Sequence, residues 1–243
     1  MPKLRPRLQR QKNSNSADTD AIWIVIPAYN EATVIASVIK EIRQAGYENI
    51  LVVDDGSADH TFDVARSTGI ITLRHRLNRG KGAATRTGIE AAKLLSAHIV
   101  VTMDGDGQHN PGDIHTLIEP IRKRKADVVL GTRLKHPEGM PWYKQVQNTI
   151  GNAIVWYLYG LWVSDSQSGF RAYSRRAIDR IDTRTDRYEY DSEVIREIKR
   201  HKLSYKEVSI EVRYTEYSMG KFHKQSLANG IKTVFRMLFH MIK

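Results

Sequence analysis

From Ala21 onward, short uninterrupted apolar runs alternate with longer stretches whose apolar positions recur at helical spacing. AIWIVI (21–26) reads as a short buried strand stopped by Pro27. Glu31 to Ala45 places Val34, Val38 and Ile42 on one helical face, and Gly46 ends it. NILVVDDGS (49–57) predicts a second strand that finishes in acids, with Ser57 or Asp59 as N-cap of a helix through Val64. GIITLRH (69–75) follows as a third strand and Gly82 to Leu95 as a helix. HIVVTM (98–103) is a fourth strand, Pro111 to Lys123 a helix with proline near its start, and ADVVLGTR (126–133) a fifth strand. Strands alternating with helices predict an α/β protein with a Rossmann-like, mostly parallel sheet flanked by helices. Functional groups are then expected at the strands' C-terminal ends.

Beyond Leu134 the pattern turns aromatic and irregular, in PWYKQ, IVWYLYGLWV, DSQSGFRAYSR and RYEYDSE. Trp156, Tyr157, Tyr159 and Trp162 suit either core packing or a cradle for lipid or sugar at a membrane interface. Residues 1–20 are basic and small polar, a disordered arm with little to bury. Residues 21–225 then form one domain, and 226–243 an amphipathic helix. That helix carries Leu227, Ile231, Val234, Phe235, Leu238, Phe239 and Ile242 on one face, with Lys232, Arg236 and His240 opposite. The pattern suits a helix packed on its own core or one lying in a membrane surface.

The chain has 243 residues, a formal net charge of +11 and no cysteine. Without cysteine there is no disulfide, no zinc–thiolate site and no thiol nucleophile, which suits a cytoplasmic location. The basic balance asks for an acidic partner: nucleic acid, an anionic membrane or a phosphorylated substrate. The N-terminus lacks the apolar core of a signal peptide. Gln145 to Ser164 is uncharged, but its glutamines, asparagines and glycines argue against a membrane span, so no transmembrane helix is expected. Nucleic-acid binding needs a recognised module or a basic stripe with stacking aromatics, and neither is present.

VVTMDGDGQH (100–109) puts Asp104 and Asp106 one residue apart at the end of the fourth strand. A calcium loop would need glycine at its sixth position and glutamate at its twelfth, where His109 and His115 stand. The alternative is Mg²⁺ or Mn²⁺ shared with a diphosphate, since such ions accept one or two carboxylates and fill the rest of their shell with water and phosphate oxygens. Gly105 and Gly107 allow the backbone to approach a ligand closely. PAYNE (27–31) and VVDDGS (52–57) stand at two other strand ends, and one of Asp54 and Asp55 is expected to serve the turn itself. RLNRGKGAATRTG (76–88) lacks phosphate-loop spacing because Gly82 follows Lys81. Arg79 and Lys81, at a helix start, are either phosphate-attracting or simply solvated.

Taken in order, PAYNE, VVDDGS, RGKG, MDGDGQH, GTR and DSQSGFRAYSR resemble the family 2 glycosyltransferases of GT-A fold, especially dolichyl- and polyprenyl-phosphate sugar transferases. The resemblance runs from about Ile22 to about Lys221. It implies that Pro27, Tyr29, Glu31, Val53 and Asp55 hold the nucleotide. Asp104, Gly105, Asp106 and Gln108 are implied at the metal and diphosphate, and Arg133 and Lys221 at phosphate. Where such enzymes carry an arginine six residues before that lysine, this chain has Thr215, with Arg213 nearby as a substitute.

The implied activity is inverting, metal-dependent transfer of a sugar from GDP-mannose or a UDP-hexose to a polyprenyl phosphate such as dolichyl or undecaprenyl phosphate. A lipid phosphate is already an anion and needs no general base; a hydroxyl acceptor would need one, with Asp165 or Asp191 as candidates. Asp165 serves equally well as a loop anchor. Glu193, two residues on from Asp191, would face another way on a helix, so no paired-carboxylate mechanism is expected. Arg171 either meets acceptor phosphate or braces the sheet. The enzyme is expected at a membrane face, bound directly or through a membrane subunit. The rival reading is a non-catalytic nucleotide-sugar or nucleic-acid binder.

Overall fold

The computed structural model describes residues 21–133, 149, 151–153, 156–187 and 189–213. The basic arm, PWYKQ, Thr215, Lys221 and the amphipathic segment 226–243 lie outside the described residues.

In chain order the elements are β1 (Ile22–Ala28), α1 (Ile35–Gln44), β2 (Ile50–Asp54), α2 (Thr61–Ser67), β3 (Ile71–Arg74), α3 (Lys81–Leu94), β4 (Ile99–Thr102), α4 (Ile114–Arg122) after a 3₁₀ turn, β5 (Val128–Thr132), β6 (Arg171–Ser174), α5 (Arg175–Arg180), α6 (Glu189–Arg200) and β7 (Tyr205–Ser209). The seven strands form one sheet in the order β3-β2-β1-β4-β6-β5-β7. All neighbours are parallel except β6, which runs antiparallel to both β4 and β5. No helix among the described residues is long and apolar enough to cross a membrane.

The alternation of side chains along each strand divides the core in two. Ile24, Ile26, Val52 and Val101 face the buried stripes of α1 and α4, including Ile35, Ile39, Leu117 and Ile118. Val25, Val100, Leu130 and Tyr173 face the other way, onto Ala92 of α3, Ile178 of α5 and Val194 and Ile198 of α6. The result is a helix–sheet–helix sandwich, with the strand ends open at one edge.

Several boundaries differ from the sequence expectation. Strand β1 continues through Pro27 to Ala28. Ile24 and Ala28 make their hydrogen bonds on the β2 side, so Pro27 turns its nitrogen toward β4, which has already ended at Thr102. The missing N–H therefore costs no ladder bond. The first helix starts at Ile35, because the Glu31 carbonyl closes a turn by accepting from both Val34 and Ile35 N–H. The cap residue of α2 is His60, while the Asp59 carboxylate accepts the Thr61 N–H at 3.0 Å. The largest departure lies after residue 165, where β6, α5, α6 and β7 are regular elements. Strand β6 inserts between β4 and β5, a long-range pairing that local periodicity does not encode.

Helix α3 approaches the sheet through small residues, with Ala84, Gly88 and Ala92 buried. A Cβ at Gly88 would overlap the Val25 Cγ1 methyl and sit 3.3 Å from Val53 Cγ2. Both neighbours are β-branched strand residues with little rotamer freedom. Gly88→Ala is expected to lower stability by roughly 1–3 kcal/mol through overpacking, read as a lower urea midpoint. An unchanged midpoint would show that α3 is not held this close.

Candidate functional site

The C-terminal ends of β1, β2 and β4 deliver Glu31, Asp55, Asp104 and Asp106 to one edge of the sheet. Helix α3 opens there with Lys81, whose Nζ lies 2.8 Å from Asp104 Oδ1 and 3.8 Å from Asp191 Oδ2 at the start of α6. A Cβ at Gly169 would overlap the Lys81 ammonium and come within 2.8 Å of Asp104 Oδ1, so any larger residue there would push the pair from its present position. Burial works against both charges. The ammonium nevertheless outweighs burial at Asp104 and, with smaller help from Arg133, holds its carboxyl at about 2. Burial likewise opposes the Lys81 ammonium, but Asp104 and Asp191 raise its pKa.

Asp106 behaves in the opposite way. Burial first, then the Asp104 charge and more weakly Glu31, push its carboxyl up to about 6 against the stabilising Gln108 N–H. That N–H meets Asp106 Oδ1 at 3.0 Å, closing a local turn. Gly107, at φ +76, supplies the left-handed backbone the turn needs. Gly105 packs against the end of β1, where a Cβ would stand 3.3 Å from Ile26 Cγ2. The loop thus offers a carboxyl that burial, with the acids around it, keeps from ionising easily.

His109 is the residue of this motif that the sequence left without a role. Its ring stacks on Phe170 at 4.8 Å, and Nδ1 accepts the Asp104 N–H at 3.3 Å. A backbone N–H can only donate, so Nδ1 carries no proton and the ring is neutral. Burial, opposed by Asp104 and reinforced by Lys81, lowers its pKa to about 4. His109 therefore shapes the loop. Phe170 lies 61 residues away in sequence, and no local signal links the two.

Arg133, at the end of β5, clamps Asp165 through Nε at 2.6 Å and Nη2 at 2.8 Å. Burial would raise the Asp165 carboxyl, but Arg133 more than offsets it and the net shift is downward. Asp165 is thus an anchored anion and a poor proton acceptor. Arg171 is a brace: fully buried, it donates to the carbonyls of Ser166, Ser168 and Asp191 and lies 3.4 Å from Asp191 Oδ1. Glu193 accepts from Arg184 N, Thr185 N and Thr185 Oγ1, holding the loop before α6 and standing apart from Asp191.

The nucleotide-side residues are spread differently. Tyr29 is exposed beside the end of β1, and Pro27 is buried in it. Val53 lies in the core against Ala84, so its side chain faces away from the strand-end edge. Asp55 accepts from Arg79 N at 3.1 Å, Gly80 N at 2.6 Å and His75 Nδ1 at 2.7 Å, while His75 Nε2 reaches Thr87 Oγ1 at 3.0 Å. Its carboxylate therefore holds the loop that presents Lys81. Asp54 serves its own turn, through Ser57 N and Arg74. Arg79 is paired with Asp186. Arg213 stands beside the Asp-x-Asp loop, its N–H donating to the Gln108 carbonyl at 2.8 Å, while its guanidinium pairs with Glu41 at 2.6 Å and donates to Asn110 at 3.0 Å.

A sandwich of this topology, with an Asp-x-Asp loop beside acids at neighbouring strand ends, has the GT-A architecture of nucleotide-sugar transferases. The chain belongs to glycosyl transferase family 2, whose model matches residues 23–182. It is 38% identical to a UDP-N-acetylglucosamine–dolichyl-phosphate N-acetylglucosaminyltransferase of Methanococcus voltae, over 89% of this chain and 94% of that protein. It is 27% identical to a polyprenol monophosphomannose synthase of Mycolicibacterium smegmatis, over 90% and 86%. A glucosyl-3-phosphoglycerate synthase of Mycobacterium tuberculosis, solved with Mn²⁺, UDP and phosphoglyceric acid, superposes with a TM-score of 0.64. At 22% identity, over 89% of this chain and 79% of that one, the likeness is one of fold.

Asp104 contributes stability above the ordinary carboxylate pKa of about 3.9 and loses it as pH falls toward about 2. Asp106 has the reverse sign, and its contribution is lost as pH rises from about 4 to about 6. Lys81→Met removes the cation and leaves Asp104 half-buried and uncompensated. The expected result is a loss of roughly 1–3 kcal/mol at neutral pH, with stability that improves as the solution is acidified. In the Asp104→Asn background the same change should cost clearly less by urea unfolding. Equal costs in both backgrounds would remove the pair from the account.

Proposed function

We propose that the protein transfers a sugar, with inversion, from a nucleotide-sugar donor to a polyprenyl phosphate, using Mg²⁺ or Mn²⁺ held by Asp104, Asp106 and the donor diphosphate, with Gln108 on the same loop. One observation carries the choice of acceptor. Both carboxylates that could have acted as base are engaged by cations, Asp165 by Arg133 and Asp191 by Arg171 and Lys81. A phosphate acceptor needs no deprotonation, so a site without a ready base suits it. The names of the Methanococcus and Mycolicibacterium relatives support the same acceptor class.

The residues fit a divalent ion. Among the described residues no cluster of three or more His, Asp or Glu side chains forms a protein cage. Two loop carboxylates completed by phosphate oxygens and water match magnesium-like demand. The Asp106 carboxyl is raised first by burial and then by the charges of Asp104 and Glu31, and a cation bound there would relieve the repulsive part. When bound, the ion supplies Lewis-acid stabilisation of the departing nucleoside diphosphate. The chain's own groups do the rest. Lys81 keeps Asp104 ionised and adds positive charge where the diphosphate develops negative charge. Arg133, oriented by Asp165, positions the acceptor phosphate, with Lys221 as a further phosphate contact. Tyr29 and the neighbouring strand ends receive the nucleotide. UDP-N-acetylglucosamine is the first donor to try, given the Methanococcus relative, with GDP-mannose and other UDP-hexoses beside it.

Thermal shift with each donor, in Mn²⁺ or EDTA, tests the reading by mass action. One nucleotide is expected to stabilise the wild type only with metal, and Asp106→Asn is expected to abolish the shift. The metal must displace the Asp106 proton, so the metal-dependent part should weaken as pH falls through about 6. No shift with any donor, in a folded protein, would exclude the nucleotide-sugar site.

A further inference from the structure

The segment before Asp165 runs along the free edge of the sheet beside β7. Tyr205 Oη donates to the Trp162 carbonyl at 3.1 Å, and Glu207 accepts from Ser164 N at 2.6 Å. These bonds pin the segment while leaving its large side chains outward: Trp156 is 52% exposed, Tyr157 83% and Trp162 54%. The two indoles meet edge to face at 6.2 Å. Beside them a groove of about 400 Å³ has an apolar floor that includes Leu161, Ile198 and Leu203, with Lys199 and Lys202 along its margin. Neither lysine has an ion-pair partner among the described residues, although Arg196, Arg200 and His201 nearby are all drawn onto Glu193 or Glu197.

We infer that this edge is the docking face for an anionic lipid bilayer, with Trp156, Tyr157 and Trp162 entering the headgroup layer and Lys199 and Lys202 meeting lipid phosphates. Two features select a bilayer over a protein partner. Exposed tryptophan and tyrosine at a common edge match the amphipathic chemistry of the membrane interface. Lysine is depleted where protein surfaces bury one another, yet long lysines beside apolar surface can lay their stems on it and extend their charges to headgroups. The placement has a consequence for the site. Trp162 is three residues from Asp165, so the aromatic part of this face leads toward the Arg133 end of the site, while Lys199 and Lys202 lie before β7, at the strands' N-terminal end. The inference deepens the polyprenyl-phosphate reading and rests on it for its purpose, but it is tested separately.

The test is flotation of the full chain with vesicles of phosphatidylcholine alone and of equal parts phosphatidylcholine and phosphatidylglycerol. Wild type should float with the anionic vesicles, with a blue shift of tryptophan emission, and be released by salt. Trp156→Ala/Trp162→Ala and, independently, Lys199→Glu/Lys202→Glu should each weaken partitioning roughly tenfold. Both variants should keep wild-type donor stabilisation and wild-type transfer to a short-chain polyprenyl phosphate in detergent. The lysine variant touches only exposed positions, so it remains decisive if the tryptophan variant folds poorly. Wild type that stays unbound, or variants that float as well as wild type, would overturn this docking face. Flotation through 226–243 or the basic arm alone would appear as the second of these. Loss of detergent transfer in wild type would strike the functional reading and leave the docking result standing.

Discussion

The Lys81–Asp104 pair is the contact on which the site's arrangement depends. It joins the first residue of α3 to the end of β4, reaches the start of α6 through Asp191, and passes under the backbone at Gly169. Four separate stretches of chain must be in register for it to form. A half-buried pair is weak evidence for net stability, because desolvation consumes much of the Coulombic gain. Its effect is on geometry and charge state. It fixes Asp104 as an anion, and that anion in turn raises Asp106, two residues along. The two neighbouring carboxyls thus differ in proton affinity, Asp104 lowered by the cation beside it and Asp106 raised by burial and by the Asp104 charge.

The rest of the fold supports this arrangement by burying charged groups only where they are answered. Asp55 draws the loop before α3 into place through two backbone amides and His75. Arg171, on the lone antiparallel strand, ties the Ser166–Ser168 loop to the start of α6. Arg133 and Asp165 lock the end of β5 to the segment that follows Trp162. Each brace joins a strand end to a loop, so the open edge of the sheet is a rigid rim. A transferase gains from such a rim, since groups held in place beforehand need not reorganise as charge develops.

The first five strands were legible because each is a compact apolar run, and α1, α3 and α4 because their buried positions recur at helical spacing. The strand-end acids were legible for the same reason, since a parallel sheet places its chemistry at the ends of those runs. The second half was not. Strand β6 is only RAYS, and it enters the sheet by pairing with Val100 and Val129, far away in sequence. Helix α6 is heavily charged, and its Asp191, Glu193 and Glu197 are buried only because Arg171, Arg196 and Thr185 meet them. Arg213 shows a related limit: spacing along the chain sets it two residues from Thr215, but only the fold brings Glu41 and the Gln108 carbonyl beside it. Lys81 is legible as a helix-start cation, but its partner Asp104 is set by the meeting of β4 and α3, which the local sequence does not encode.

The central claim is that the transferred sugar ends on a phosphate oxygen of a lipid, in a site that lacks a ready general base. Mass spectrometry of the lipid product tests it most directly, with labelled donor, Mn²⁺ and a matched pair of acceptors: a polyprenyl phosphate and the corresponding polyprenol. The account predicts a sugar–phosphate–lipid product from the first and none from the second. Transfer to the free alcohol at a comparable rate would mean that a base is present after all, and would contradict the reading that Arg133, Arg171 and Lys81 keep Asp165 and Asp191 from serving as one.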